Sequence, residues 1–337
     1  MTGELLKTYS KNKSVLILTK RTKPKLSIAY NTYWKFAAER QNVFFKRFNG
    51  ESFPWTKDKI LNEYKFTNVY RATDRVSQYL IKNVIYKGSQ KPEEVFFRLI
   101  LFKIFNRIST WEVLEFELGK ISFKDYSFKR YDKVLSEVIQ NRIPIYSAAY
   151  IMASGRSTFG YERKHQNHLR LIEKMIKEKV PYKLQHCKSM SEAYNLLHSY
   201  STIGDFLAYQ YVTDINYSTL TNFTEMEFVK AGPGAKDGIV KCFKDFGGYS
   251  FEDIIHLMVE NQEQEFERLN LDFKNLWGRK LQLIDCQNIF CEVDKYSRVA
   301  HPEIIGASNR TRIKQKYKRQ QNKSIEYFFP PKWGINI

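Results

Sequence analysis

Cysteine is scarce in this chain: four residues, Cys187, Cys242, Cys286 and Cys291, among 337. Their spacing fits neither a zinc site nor an iron–sulfur cluster, so they are expected to be reduced thiols. Proline (9) and glycine (15) are few. That shortage excludes collagen-like, low-complexity and turn-rich all-β chains. No run of 18 apolar residues is present, so no membrane span is expected. The first ten residues lack the apolar block of a signal peptide, which points to a cytoplasmic protein. No Gly-x4-Gly-Lys-Ser/Thr run occurs, so a P-loop is ruled out. Acidic residues are the last shortage: 36 against 55 Lys and Arg, for a net charge of +19.

The excess charge is concentrated. Residues 1–30 carry seven basic side chains (Lys7, Lys11, Lys13, Lys20, Arg21, Lys23, Lys25) and one acid, Glu4. Residues 309–324 carry seven more (Arg310, Arg312, Lys314, Lys316, Lys318, Arg319, Lys323) and no acid. Two thirds of the surplus therefore lies near the two ends. A polyanion is the natural partner, because each neutralised phosphate releases counterions. Aromatics are abundant, with 25 Phe and 22 Tyr. Tyr317, Tyr327, Phe328 and Phe329 interleave with or follow the second basic run, where they could stack on bases or anchor the tail to the core.

Periodicity is mostly helical. Apolar residues recur at three- and four-residue steps from Ile60 through Phe66, Val69, Tyr70, Val76 and Leu80. Residues 95–105 are apolar on nearly all sides and read as a central buried helix. Residues 111–116, 133–139, 168–176 and 191–197 repeat the helical pattern, and alternation is confined to short pieces such as 15–18. The fold class is mainly α, with loops expected at Gly155 to Gly160 and at Gly232 to Gly238.

Three runs carry candidate chemistry. In residues 231–243, Gly232 and Gly234 permit a tight turn whose backbone N–H groups suit a phosphate, with Lys236 beside it. In residues 281–298, Asp285, Asn288, Glu292 and Tyr296 share one helical face, with Lys295 and Arg298 following. That face is either a cleft wall or a capping Asp followed by a solvated stripe. In residues 53–78, Asn68, Arg71 and Arg75 fall on one helical face, with Asp74 beside it and Gln78 continuing it. Such side chains suit phosphates or base edges, or a plain surface ion pair.

Together these blocks resemble a known family. The pieces are Trp34, Glu39-Arg40, Pro54-Trp55-Thr56, residues 66–71, Asp74-Arg75, Trp111-Glu112, residues 232–235, Asp285, Asn288, Cys291-Glu292, Lys295-Tyr296 and Arg298. They resemble the helical domain linked to 5-hydroxymethyluracil DNA kinases and to alpha-glutamyl/putrescinyl-thymine pyrophosphorylases, itself similar to helix-hairpin-helix DNA glycosylases. The resemblance implies a glycosylase-like fold of two helical subdomains with a cleft between them. It would comprise a basic extension (1–30), a catalytic region (31–300) with a hairpin near 228–243 and an insertion at 244–280, and a basic segment (301–337). It implies a monofunctional DNA glycosylase excising a hypermodified or glucosylated 5-hydroxymethyl pyrimidine, with anti-phage defence as a role the family allows, in a bacterial or phage-infected cell. Asp285 would then be the carboxylate, needed for chemistry and not for folding, with Asn288 and Glu292 positioning it. Asn68, Arg71, Asp74 and Gln78 would line the base pocket. Gly232, Gly234, Lys236, Arg75, Lys295, Arg298, Arg310 and Arg312 would hold DNA. Gly238 stands where related lyases place their amine, so an intact abasic site is the expected product. The expected partner is double-stranded DNA carrying modified bases, for a monomer without metal or cofactor. Two alternatives stay open: a base-hypermodifying transferase acting on a 5-phosphorylated hydroxymethyl pyrimidine, and a DNA-binding module without chemistry.

Overall fold

The computed structural model describes residues 4–10, 13–19, 21–148, 158–318 and 326–337. Lys11, Lys20, Gly155, Arg319 and Lys323, singled out above, lie outside the described residues. In chain order the elements are β1 (Glu4–Ser10), β2 (Lys13–Thr19), β3 (Lys25–Leu26), α1 (Ile28–Phe48), α2 (Lys59–Glu63), α3 (Arg75–Tyr79), α4 (Pro92–Phe105) and α5 (Ile108–Leu118). There follow α6 (Phe128–Gln140), α7 (Lys164–Lys177), α8 (Val180–His186), α9 (Met190–His198), α10 (Asp205–Ile215), α11 (Pro233–Cys242), β4 (Phe243–Asp245), α12 (Phe251–Glu260), α13 (Gln262–Arg268) and α14 (Leu283–Ala300). The chain is mainly helical. β1 pairs with β2, and β3 with β4, each antiparallel.

The chain divides into two compact units. The first comprises Met1–Arg71 and Ala231–Ser324, the second Ala72–Lys230 and Ile325–Ile337. In the first unit α1, α11 and α14 form the core. The Ser27 side chain caps α1 by accepting from Ala29 N at 3.0 Å. Tyr33 and Trp34 of α1 are fully buried. The Tyr33 ring lies 4.6 Å from Phe290 and the Trp34 ring 5.1 Å from Phe266. Each such aromatic removes roughly 150–250 Å² from water. α11 and α14 pack unusually close. A Cβ at Gly238 would sit 2.1 Å from the Phe290 carbonyl oxygen, so only hydrogen fits there.

In the second unit α4 is central, with twelve of its fourteen residues buried. α5, α7, α8 and α10 pack around it. Its charged groups are answered inside the core. Arg98 donates to the carbonyls of Val84 (2.9 Å), Ile85 (3.2 Å) and Ser89 (2.8 Å), closing a wide π-helical turn at Leu80–Ile85. Lys103 pairs with Asp214 at 3.0 Å, both nearly inaccessible. Residues 326–337 belong to this core. Phe329 is buried, Trp333 meets Tyr217 at 5.5 Å, and Lys332 donates to the carbonyls of Ser218 (3.0 Å) and Thr221 (2.7 Å). Of the tail aromatics, Phe329 thus anchors the chain rather than offering its ring to bases.

Two local expectations are corrected. The run from Ile60 to Leu80 is not one helix. After α2 the backbone turns extended at Tyr64 (φ −114°, ψ 153°), and residues 65–70 contain no helical turn. The polar groups find other partners: Lys65 N donates to Gln315 O (3.0 Å) and Tyr317 N to Glu63 O (2.8 Å). Asn68, Arg71 and Arg75 therefore share no helical face. The helix-hairpin-helix expectation fails at its first helix. α10 ends at Ile215, and residues 216–232 contain no helix. Gly232 is instead the N-cap of α11, and Gly238 lies within that helix rather than in a loop. Pro233 suits this start, since its missing N–H is one the first turn leaves unbonded anyway.

Candidate functional site

The polar face of α14 exists, and it does one coherent thing. Asp285, Asn288 and Glu292 take hold of the backbone of residues 67–71. The Asp285 carboxylate accepts from Arg71 N at 3.0 Å and from Gln282 N at 3.1 Å, completing a capping box at the start of α14. The Asn288 amide donates to Asn68 O at 2.8 Å. Glu292 accepts from Thr67 N at 3.0 Å and pairs with Lys295 at 2.6 Å. One turn on, the Tyr296 hydroxyl donates to Asp58 at 2.7 Å. Burial, and then the Asp58 carboxylate, push the Tyr296 pKa up, so it stays a donor.

Arg40 of α1 closes the frame from the other side. It donates to Thr67 O at 3.0 Å and to the Asn68 side-chain oxygen at 2.6 Å. A non-helical stretch is thus fixed by side chains from two helices, which replace the hydrogen bonds a helix would have made. Asn68 and Arg71 sit on that stretch, both more than nine-tenths buried. Lys295 also lies 4.7 Å over the Phe66 ring.

The remaining candidates are placed as follows. Asp74 is the N-cap of α3 and Arg75 its exposed first residue. Gln78 is buried, donating to Ala72 O (2.7 Å) and accepting from Phe328 N (2.8 Å). Gly234 lies at the start of α11 against Cys291, with its would-be Cβ 3.2 Å from Sγ. Lys236 is exposed, 5.6 Å over the Phe251 ring. Arg298 bonds Asp294 at 2.5 Å and the carbonyl of the exposed Arg312 at 2.9 Å. Arg310 is tied to Asp237 at 2.7 Å and approaches Asp294 at 3.5 Å.

The last contacts belong to a cluster not singled out in the sequence. Lys241 of α11, 1% exposed, meets the Asp294 carboxylate of α14 at 3.0 Å. Ser308 and Arg310 bond Asp237; burial alone would raise its pKa, but these bonds outweigh it and hold the carboxyl below the usual range. Asp237 and Lys241 are four apart, as are Asp294 and Arg298. Opposite charges four residues apart on each of two helices are the signal that could have found them. Among the described residues, no group of three or more His, Cys, Asp or Glu could hold a metal, and no helix is long and apolar enough to cross a membrane.

The sequence model described as "5-hmdU DNA kinase, helical domain" matches residues 27–306. The chain belongs to that family. A relative named 5-hmdU DNA kinase, from Bacillus phage SP10, is 27% identical over 285 residues, covering 79% of this chain and 44% of the relative. The chain thus spans less than half the length of that protein. No solved structure matches it. A kinase family overturns the reading as a DNA glycosylase, and with it hydrolase chemistry, base excision and a role in excising modified bases against phage. The geometry agrees in one respect: two backbone N–H groups and burial engage the Asp285 carboxylate, which was to have faced the sugar.

Asp285 is therefore expected to matter for folding. Asp285→Ala strands the Arg71 and Gln282 amides and should lower stability by about 2–3 kcal/mol in urea unfolding. Asp285→Asn keeps one acceptor and should lose less. Equal stability of Asp285→Ala and wild type would remove the capping role.

Proposed function

We propose that this chain handles 5-hydroxymethyl pyrimidines in DNA and supports group transfer at the 5-hydroxymethyl substituent, leaving the glycosidic bond intact. The observation that carries this is the family match over residues 27–306, together with the activity named for the phage relative. The surplus of positive charge supports DNA as the partner. We assign Asn68 to the base and Arg71 to the phosphate of its substituent, since Arg40, Asp285, Asn288 and Glu292 fix the backbone that carries them. Arg and Asn suit such contacts by hydrogen-bond geometry.

A second reading keeps the transferase branch of the resemblance and rests on the same family match over residues 27–306. In that reading the substrate already carries diphosphate on the hydroxymethyl oxygen; an amine nitrogen bonds to the 5-methylene carbon as the carbon–oxygen bond breaks and diphosphate leaves. The test uses duplex oligonucleotides carrying 5-hydroxymethyluracil, or its diphosphorylated form, followed by digestion and mass spectrometry of the nucleosides. With ATP and Mg²⁺, the first reading gives a nucleoside heavier by phosphate. With an amine and the diphosphorylated DNA, the second gives the amine adduct. Free base and abasic sites, with neither adduct, would overturn both.

A further inference from the structure

The end of α1 presents an unusual surface. Residues 47–54 are all exposed, and two of them are phenylalanines, Phe48 (39% exposed) and Phe53 (37%). The run ends at Trp55, which is half-buried and firmly oriented. Its indole N–H donates to Glu51 O at 2.8 Å, and its carbonyl accepts from Lys46 at 3.1 Å. The Phe53 ring stands edge-on to Trp55 at 5.3 Å, and the Arg47 guanidinium lies 5.1 Å over the indole. Beyond Trp55 the loop is pinned: Thr56 bonds Glu39, and Asp58 N donates to Thr56 at 3.0 Å.

On the other flank of α1 stands a two-residue turn, Trp277-Gly278, both at positive φ (46° and 91°). Leu276 and Arg279 close it with paired backbone hydrogen bonds of 3.1 Å. Asn, Asp or Gly is usual at the first of these positions. Here a tryptophan occupies it, 5.0 Å from Phe48 and 5.4 Å from Phe45. Such strain in a bulky residue points to a function for the position.

The stretches that carry these rings are mostly basic. Residues 46–59 and 272–280 hold Lys46, Arg47, Lys57, Lys59, Lys274, Arg279 and Lys280 against Glu51, Asp58 and Asp272, and of these Lys280 pairs with Glu263 at 2.8 Å. Asp58 is already engaged by the start of α2 and by Tyr296. Exposed aromatic rings interleaved with cations match a nucleic-acid strand, where rings take base faces and cations take phosphates. Bases inside a duplex already stack on each other. The matching ligand is therefore a strand with a base out of the stack, the state in which enzymes act on bases.

We propose that this rim is a stacking site for an unstacked base of the DNA substrate, with Phe53 and Trp55 as platforms and Arg47 on the adjacent phosphate. The proposal rests on the DNA reading given above. The test is fluorescence anisotropy with the full chain and a labelled duplex carrying one unpaired thymine, alongside a fully paired duplex. Wild type should prefer the first. Phe53→Ala and Trp55→Ala should each weaken it by about tenfold, the scale of one lost base–aromatic stack, while Trp55→Phe retains most of the affinity. Arg47→Glu should weaken both duplexes alike. Should Trp55→Ala unfold, the exposed Phe53→Ala decides the matter, with an unchanged melting profile as its control. If folded Phe53→Ala binds within about twofold of wild type, the stacking site is wrong while the DNA reading stands. If wild type binds neither duplex and transfers nothing, both fall together.

Discussion

Gly238→Ala should be among the most damaging small substitutions in this protein. The added methyl would lie 2.1 Å from the Phe290 carbonyl oxygen, and the atom it meets is backbone, not a flexible side-chain tip. α11 and α14 must then separate by more than an ångström, and close-packed interiors absorb such a shift poorly. A cost of about 3 kcal/mol or more is expected in urea or thermal unfolding. Gly234→Ala, whose methyl meets the Cys291 thiol at 3.2 Å, should cost much less, because a side chain can yield. Equal losses for the two would show that the helices do not depend on close approach at Gly238.

Asp294→Ala carries the second large effect. It removes the carboxylate that faces Lys241 at 3.0 Å and Arg298 at 2.5 Å, the former wholly buried. Lys241 keeps the Asp294 backbone carbonyl, to which it also donates at 3.0 Å, but loses its counter-ion, and an uncompensated buried charge typically costs about 3–5 kcal/mol. Arg310 should remain on Asp237, so the loss is not one of the 308–310 contacts. The decisive comparison is the pair Lys241→Met with Asp294→Leu. Removing both charges should restore much of what the single change loses, since a buried pair balances its desolvation only while intact. A double variant as unstable as Asp294→Ala would mean that the cluster is needed as polar structure, not as paired charge.

The helical class was legible in sequence because it rests on apolar spacing, which survives without tertiary context. α4 is the clear case: residues 95–105 are apolar on nearly all sides, and the helix is buried on nearly all of them. The face of α14 was legible for the same reason, since Asp285, Asn288, Glu292 and Tyr296 do lie together. What they face was not legible. Their partner is backbone, and a backbone amide leaves no mark in composition. The stretch at 65–70 misled in the complementary way. Its apolar residues fall at helical steps, but α14, Arg40 and residues 315–317 supply its hydrogen bonds from more than 200 residues away or from another helix. Gly232-Pro233-Gly234 looked like a turn between helices, because helix-start chemistry and turn chemistry use the same residues. The family was legible from motifs, whereas nothing in the residues themselves separated the kinase branch of the resemblance from the glycosylase branch.

The discontinuous first unit has a consequence for synthesis. Its first helix, α1, leaves the ribosome before α2–α10, yet Phe266, Phe290 and the helix of Gly238 follow only after α3–α10 have been made. At roughly 5–20 residues per second, the interval from Phe48 to Pro233 lasts on the order of 10–40 s. Through that time Tyr33, Trp34, Phe36 and Phe44 have none of their late partners. The residues that complete the second unit, 326–337, emerge later still. Nascent chains halted near residue 230 should therefore hold α1 open to chaperones and proteases, and chains from which α14 has cleared the ribosome should not.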